Sequence, residues 1–100
     1  MAFVKVAHIS DVRPGEGKVV SANGQEIALF NVDGVFHAVQ NHCPHRGGPL
    51  GEGMLDDAVV TCPWHGWRFN VATGKNPSMP NIQLKRFDVR IDSDDILVNL

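Results

Sequence analysis

The 100-residue sequence has no excess of charge of either sign and no long hydrophobic run. Nine basic and eleven acidic side chains give a formal net charge of −2, and Lys85-Arg86 is the only adjacent basic pair. Nucleic-acid binding requires a concentrated basic face, so that function is not expected. No apolar run exceeds four residues, far fewer than the roughly 20 that span a bilayer. We therefore expect neither a nucleic-acid partner nor a membrane partner.

The N-terminal residues also lack the features of an export signal. Met1 to Ser10 has no basic stretch followed by an apolar one, so we expect no signal peptide. The expected location is therefore cytoplasmic, where thiols stay reduced. A disulfide between the only two cysteines, Cys43 and Cys62, would in addition leave the histidines beside them unexplained.

Helical periodicity is missing from the whole chain, whereas strand and turn signals recur. Asn23-Gly24 and Asp33-Gly34 are two-residue hairpin signals between apolar segments. Strands are predicted at Phe3 to Ala7, Lys18 to Ala22, Gln25 to Phe30, Val35 to Val39, Asp57 to Thr61 and Ile96 to Leu100. The apolar alternation changes phase near Lys85-Arg86, as a β-bulge would produce. The sequence predicts an all-β antiparallel sandwich or small barrel, with residues 1–100 as one domain.

The chemistry-bearing residues lie in two short segments between predicted strands. Cys43-Pro44-His45 is followed, after sixteen residues, by Cys62-Pro63-Trp64-His65. Two thiolates and two imidazoles form a complete metal ligand set. Structural zinc sites usually pair like ligands in separate knuckles, while one [2Fe–2S] type has two cysteines on one iron and two histidines on the other. The ligand set alone leaves both metals open.

The residues around the ligands favour the iron–sulfur alternative. Gly47, Gly48 and Gly66 would let backbone N–H groups approach sulfur, and the prolines would stiffen the loops. Residues 43–50 and 62–69 resemble the two cluster-binding boxes of Rieske [2Fe–2S] proteins. This resemblance implies an all-β Rieske-like base carrying a cluster-binding subdomain at about residues 41–80, with one [2Fe–2S] cluster. It also implies that Cys43 and Cys62 bind one iron and that His45 and His65 bind the other through Nδ1.

Two departures from the cytochrome bc members of that family indicate a low reduction potential. Those relatives carry a second cysteine in each loop, where this chain has Gly48 and Trp64. They also place hydroxyl donors near the cluster, where this chain has Trp67 and Phe69. Donors to the sulfurs stabilise the reduced, more negative cluster. We therefore predict a midpoint below roughly 0 mV, within the Rieske range of about −150 to +300 mV.

Three functions are compatible with these observations. The favoured one is a Rieske-type ferredoxin that passes single electrons from an NAD(P)H-dependent flavoprotein reductase to a terminal oxygenase. The alternatives are the small subunit of an NAD(P)H-dependent nitrite reductase, which the chain also resembles, and a structural zinc domain. Oxygen activation requires a separate iron on two histidines and a carboxylate, for which the remaining histidines give no motif, so no catalytic residue is predicted.

We expect both redox partners to dock transiently at the loop tip. The predicted docking surface lies around His45, His65 and Trp64. Trp64, Trp67 and Phe69 are expected to form a small core for the loops, and the alternative is that Trp64, with Pro44 and Leu50, forms an apolar rim around the imidazoles. Electron-transfer contacts of this kind are small, below about 1,200 Å² in total.

Overall fold

The computed structural model describes residues 2–44, 47–64 and 66–100, and within these ranges it is built almost entirely of β-strands. The strands are β1 Phe3–His8, β2 Gly17–Ala22, β3 Gln25–Val32, β4 Val35–Gln40, β5 Met54–Asp56, β6 Val59–Thr61, β7 Arg68–Asn70, β8 Arg86–Phe87, β9 Val89–Asp92 and β10 Asp95–Asn99. Two short 3₁₀ turns occupy Ile9–Asp11 and Leu50–Glu52. The all-β antiparallel prediction is confirmed.

The strands form three antiparallel sheets, ordered β1-β10-β9, β2-β3-β4-β8 and β5-β6-β7. In the second sheet, both predicted hairpins are present. The Asn23-Gly24 turn has φ of 52° and 77°, and the Asp33-Gly34 turn has φ of 51° and 89°. Positive φ at both central residues matches the right-handed twist of the strands that they join.

Strand β3 is the centre of the molecule because both of its faces are covered. Ile27 and Leu29 point toward the first sheet, whereas Ala28 and Phe30 point toward the third. All four are fully buried, which explains why this strand is a continuous apolar run instead of an alternating one. The core on the side of the first sheet contains Ala7, Val12, Val20, Ile27, Leu29, Ala38, Ile96 and Val98. The core on the opposite side contains both cysteines.

The third sheet was only partly predicted from the sequence. A single strand from Asp57 to Thr61 was expected, but the segment is a hairpin of β5 and β6 that turns at Asp57, whose φ is 55°. Strand β7 then pairs with β6, with Val60 opposite Phe69. The connections that carry the cysteines therefore rest on a small sheet of their own.

The phase change near Lys85-Arg86 is not a β-bulge. Strand β8 pairs with β4 in the second sheet, and β9 pairs with β10 in the first. Ile82 and Leu84 pack on the core that contains the cysteines, whereas Phe87 and Val89 pack on the opposite core. The apolar side chains therefore change face before Phe87, and the chain changes sheets only after it, between Phe87 and Val89. A strand that passes between sheets is a common way of making a corner in packed β-structures.

No helix in the described ranges is long and apolar enough to cross a membrane.

Candidate metal centre

The structure brings together the two predicted cysteine ligands. Cys43 follows β4 and Cys62 directly follows β6, and each side chain is only 2% exposed. Both are free thiols, and the Cys43 thiol lies close enough to raise the pKa of the Cys62 thiol. The other two predicted ligands, His45 and His65, lie outside the described residues. Two cysteines separated by eighteen residues in the sequence therefore meet in one buried site.

The first connection, residues 41–53, is folded tightly around Cys43. The Cys43 N–H donates to the Gly48 carbonyl at 2.9 Å, and the Gly47 N–H donates to the Cys43 carbonyl at 2.7 Å. Gly47 has a φ of 75°, a left-handed conformation in which glycine carries no steric penalty. These bonds fix the position of Gly48 relative to Cys43.

Asn41 closes the base of this connection, a role that the sequence did not reveal. Its side chain is 2% exposed, and its Oδ1 accepts a hydrogen bond from the Gly51 N–H at 2.9 Å. Its carbonyl accepts from the Leu50 N–H at 2.8 Å. Nothing in the residue pattern separates Asn41 from an ordinary polar residue at a strand end.

We expect Asn41→Ala to destabilise the fold by about 1–3 kcal/mol, because it leaves the buried Gly51 N–H without an acceptor. For a domain of this size, each kcal/mol of lost stability lowers the Tm by roughly 4–8 °C, which thermal denaturation can measure. Asn41→Asp, which keeps an acceptor oxygen, should lose less. The exposed Asn81 provides the control, since Asn81→Ala should stay within about 0.5 kcal/mol. Equal effects at positions 41 and 81 would show that the Asn41 bond does not support the connection.

The second connection runs from Cys62 to Trp67, and hydrogen bonds hold those of its residues that the structure describes. The Cys62 N–H donates to the Trp67 carbonyl at 2.7 Å, and the Trp64 N–H donates to the Cys62 thiol. Gly66 has a φ of 73°, as a tight turn with a left-handed residue requires. An amide N–H directed at a ligand sulfur is the type of donor that stabilises added negative charge there.

The surroundings of the two thiols are apolar. The cysteines belong to a core with Ala28, Phe30, Val39, Leu50, Val60, Phe69, Val71 and Leu84. Burial raises the pKa of the Cys62 thiol, the Trp64 N–H opposes that shift, and the adjacent Cys43 thiol raises the pKa further. A cation that converts both thiols to thiolates would remove this cost, because metal binding deprotonates its ligands.

Gly48 supplies the test of whether the site fits a cluster. A Cβ added at Gly48 would lie 2.6 Å from the Cys62 sulfur, so only glycine leaves room for the sulfur at this point. With two thiolates, a [2Fe–2S] core of charge +2 forms a neutral centre, which an apolar pocket accommodates far better than a net charge. The paired thiols, the amide donor and the glycine therefore fit a [2Fe–2S] group.

Of the three other residues considered for the loop tip, two are exposed and one is buried. Trp64 is 51% exposed and Pro44 is also exposed, whereas Leu50 is fully buried. The prediction that Leu50 belongs to an exposed rim is wrong, because its side chain packs in the core around the cysteines.

The imidazole of His42 is directed away from the cysteines. Its Nε2 lies 3.1 Å from Glu26 Oε1, and its Nδ1 lies 3.4 Å from the Gly47 carbonyl oxygen. The interpretation of His42 as a polar loop residue, and not as a further ligand, agrees with these contacts.

Comparison with known proteins decides the family. A family model described as "Rieske [2Fe-2S] domain" matches residues 2–88. The chain belongs to the Rieske [2Fe–2S] family. Its cofactor is accordingly one [2Fe–2S] cluster, and the zinc alternative is not retained.

Two of the most similar proteins are components of oxygenase systems. The chain is 44% identical over 101 residues to the biphenyl dioxygenase ferredoxin subunit of Pseudomonas sp. (strain KKS102), covering 99% of this chain and 93% of the relative. It is 36% identical, with a TM-score of 0.87, to a chain in the complex of reduced oxygenase and oxidized ferredoxin in carbazole 1,9a-dioxygenase, covering 96% of this chain and 91% of that one. The expectation of an electron carrier, not an enzyme, agrees with these relatives.

A third similar structure concerns the alternative function. It is titled a putative nitrite reductase NADPH small subunit and matches with a TM-score of 0.86 over 100% of both chains. The identity is 24%, so this likeness shows the shared Rieske fold and nothing more.

Proposed function

We propose that this protein is a ferredoxin that carries single electrons from an NAD(P)H-dependent flavoprotein reductase to a terminal oxygenase. One observation carries the proposal: two free, buried thiols from separate connections lie side by side beneath an exposed tip. The match to oxygenase ferredoxins over nearly the whole length of both chains supports it. We further propose that residues 1–100 form one domain with its cluster-binding part at about residues 41–80, and that it works in the cytoplasm.

We assign the cluster ligands as Cys43, His45, Cys62 and His65, with the two cysteines on one iron and the two histidines on the other. When bound, the cluster accepts and releases one electron. The Cys43 and Cys62 side chains hold it from within the core, and the Trp64 N–H, directed at the Cys62 sulfur, offsets part of the negative charge that arrives with the electron. The apolar side chains around them exclude water from that side.

Reconstitution is the direct test of the carrier function. The purified holoprotein would be mixed with NADH, a flavoprotein reductase of an aromatic-ring dioxygenase system and its terminal oxygenase. We expect substrate oxidation that depends on this protein and saturates with its concentration. A reductase that cannot reduce the cluster, or an oxygenase that cannot oxidise it, would contradict the proposal.

The second candidate function is the small subunit of an NAD(P)H-dependent nitrite reductase, the alternative that the resemblance of the cluster-binding boxes leaves open. A subunit requires a permanent interface, whereas a carrier dissociates between partners. Permanent interfaces bury about 2,000 Å² or more, so co-elution with a nitrite reductase large subunit in gel filtration would support this candidate. The genes beside the coding sequence would indicate which partner exists.

We propose that both partners dock at the tip formed by His45, His65 and Trp64, with exposed Pro44 beside it. Trp64 supplies the largest exposed apolar side chain near the cysteines, and tryptophan is enriched among residues that dominate binding energy. A partner docked at Trp64 would lie near the connections that carry His45 and His65, the two histidines that we assign to the second iron.

Trp64→Glu should slow electron transfer at least roughly tenfold, because it replaces an apolar contact with a buried charge. The measurement is the second-order rate of cluster reduction by the reductase in stopped flow, on freshly loaded protein with matched visible spectra. Val35→Glu is the control, since Val35 is also an exposed apolar residue, at 57%, but begins β4. Unchanged rates in the Trp64 variant would remove this residue from the docking surface.

A further inference from the structure

The two ligand-bearing connections meet at Gly48 and Trp64. A Cβ added at Gly48 would lie 3.1 Å from both Cβ and Cγ of Trp64, which is tighter than ordinary van der Waals contact. The backbone of Gly48 therefore lies against the inner part of the Trp64 side chain. Trp64 is 51% exposed, so about half of its surface is covered by the protein and about half faces solvent.

Each side of this contact is tied to a cysteine. Gly48 accepts a hydrogen bond from the Cys43 N–H at 2.9 Å, so movement of Gly48 moves Cys43. Trp64 donates its N–H to the Cys62 thiol and is separated from Cys62 only by Pro63, whose φ is fixed by its ring. A displacement of either connection at this contact would therefore change the separation of the two sulfurs.

We propose that Trp64 is a positioning residue that clamps the two cluster-binding connections together by packing on Gly48. The clamp is non-covalent and contributes to keeping Cys43 and Cys62 at a fixed separation. It uses the covered half of the indole, which leaves the outward half for a redox partner. This inference rests on the proposed function only in taking Cys43 and Cys62 as cluster ligands.

Loss of the clamp should appear as faster loss of iron from the holoprotein. Trp64→Ala removes the packing, and we expect iron release to a chelator to accelerate by roughly tenfold, the rate equivalent of about 1.4 kcal/mol. Trp64→Phe keeps an aromatic ring on Gly48 and should restore most of the retention. The matched control is Met54→Ala, because Met54 is an exposed apolar residue, at 82%, beside the groove that reaches Cys62.

Two further readouts separate positioning from a general loss of stability. The global unfolding transition of Trp64→Ala in urea should match that of the wild type, because half of the side chain is already in water. Its midpoint potential should also be unchanged, since the N–H that faces Cys62 belongs to the backbone. Equal iron-release rates in the wild type and Trp64→Ala, or equally accelerated release in Met54→Ala, would overturn the proposal.

The contact can also be tested from the side of Gly48. Gly48 does not have a positive φ, so alanine is sterically allowed by the backbone, and Gly48→Ala acts through the groups that its methyl meets. Gly48→Ala should accelerate iron release in the wild type and should accelerate it less in the Trp64→Ala background, where the Cγ that the methyl meets is gone and only Cβ remains. Strictly additive effects would show that residues 48 and 64 are not coupled.

The outcomes distinguish this inference from the proposed function. A wild-type protein that binds no [2Fe–2S] cluster would contradict both the proposed function and the clamp. If the wild-type protein holds the cluster and transfers electrons, but iron release is unchanged in Trp64→Ala, only the clamp is contradicted.

Discussion

Cys62→Ala should yield a folded protein without its cluster. The Cys62 side chain is buried at 2% exposure beside Cys43, and the sequence has no third cysteine that could replace it on the same iron. Changing a residue that merely supports a metal ligand typically costs about 10–100-fold in affinity, and removing the ligand itself should cost more. Iron and acid-labile sulfide per chain, together with visible absorption, measure the loss. Cys43→Ala should behave in the same way.

The control for this prediction is His42→Ala. His42 is adjacent to Cys43 in the sequence, but its imidazole contacts Glu26 and not the cysteines, so its removal should leave iron content and spectrum unchanged. If Cys62→Ala kept a normal iron–sulfur spectrum, the ligand assignment would be wrong. If His42→Ala lost the cluster as completely as the cysteine variants, the loss would report a disturbed connection and not a missing ligand.

Phe69→Tyr should raise the midpoint potential. Phe69 is fully buried in the same core as both cysteines, and it has no hydroxyl at a position where the cytochrome bc relatives carry a tyrosine. A hydrogen bond to a charged group is worth about 1.5–3 kcal/mol, and a one-electron couple shifts by about 59 mV for each tenfold change in its equilibrium constant. A donor that serves the reduced form should therefore raise the midpoint by on the order of 65–130 mV, measured by potentiometric titration.

Phe36→Tyr is the matched control. Phe36 is partly buried and packs on the opposite core, formed with the first sheet, so its hydroxyl lies far from the cysteines in the fold and should leave the midpoint unchanged. A loss of thermal stability in Phe69→Tyr without a change in midpoint would show that the missing hydroxyl does not set the potential.

Local sequence signals predicted the strands of the second sheet well. Asn23-Gly24 and Asp33-Gly34 specify their own turn geometry, so the bounds of β2, β3 and β4 differ from the expected ones by two residues or fewer. The meeting of Cys43 and Cys62 was also expected, because a ligand set requires it. These features depend on residue type and short-range spacing, which the sequence contains directly.

The features that were missed depend on contacts between distant segments. The apparent bulge near Lys85-Arg86 is a change of core, because Leu84 packs beside the cysteines and Phe87 packs on the opposite core. The alternative that placed Leu50 on an exposed rim is wrong because its side chain is in the core. Asn41 and Gly48 act through single contacts with Gly51 and Trp64, and residue type alone does not predict such contacts.

The central claim is that this chain is a Rieske ferredoxin of low potential, and an EPR-monitored redox titration of the purified holoprotein tests it most directly. We predict a signal that appears only on reduction, fits a single one-electron couple and has a midpoint below roughly 0 mV, in the lower part of the Rieske range. A protein without such a signal would contradict the assignment of the cluster to this chain. A midpoint above about +150 mV would contradict the low-potential carrier function.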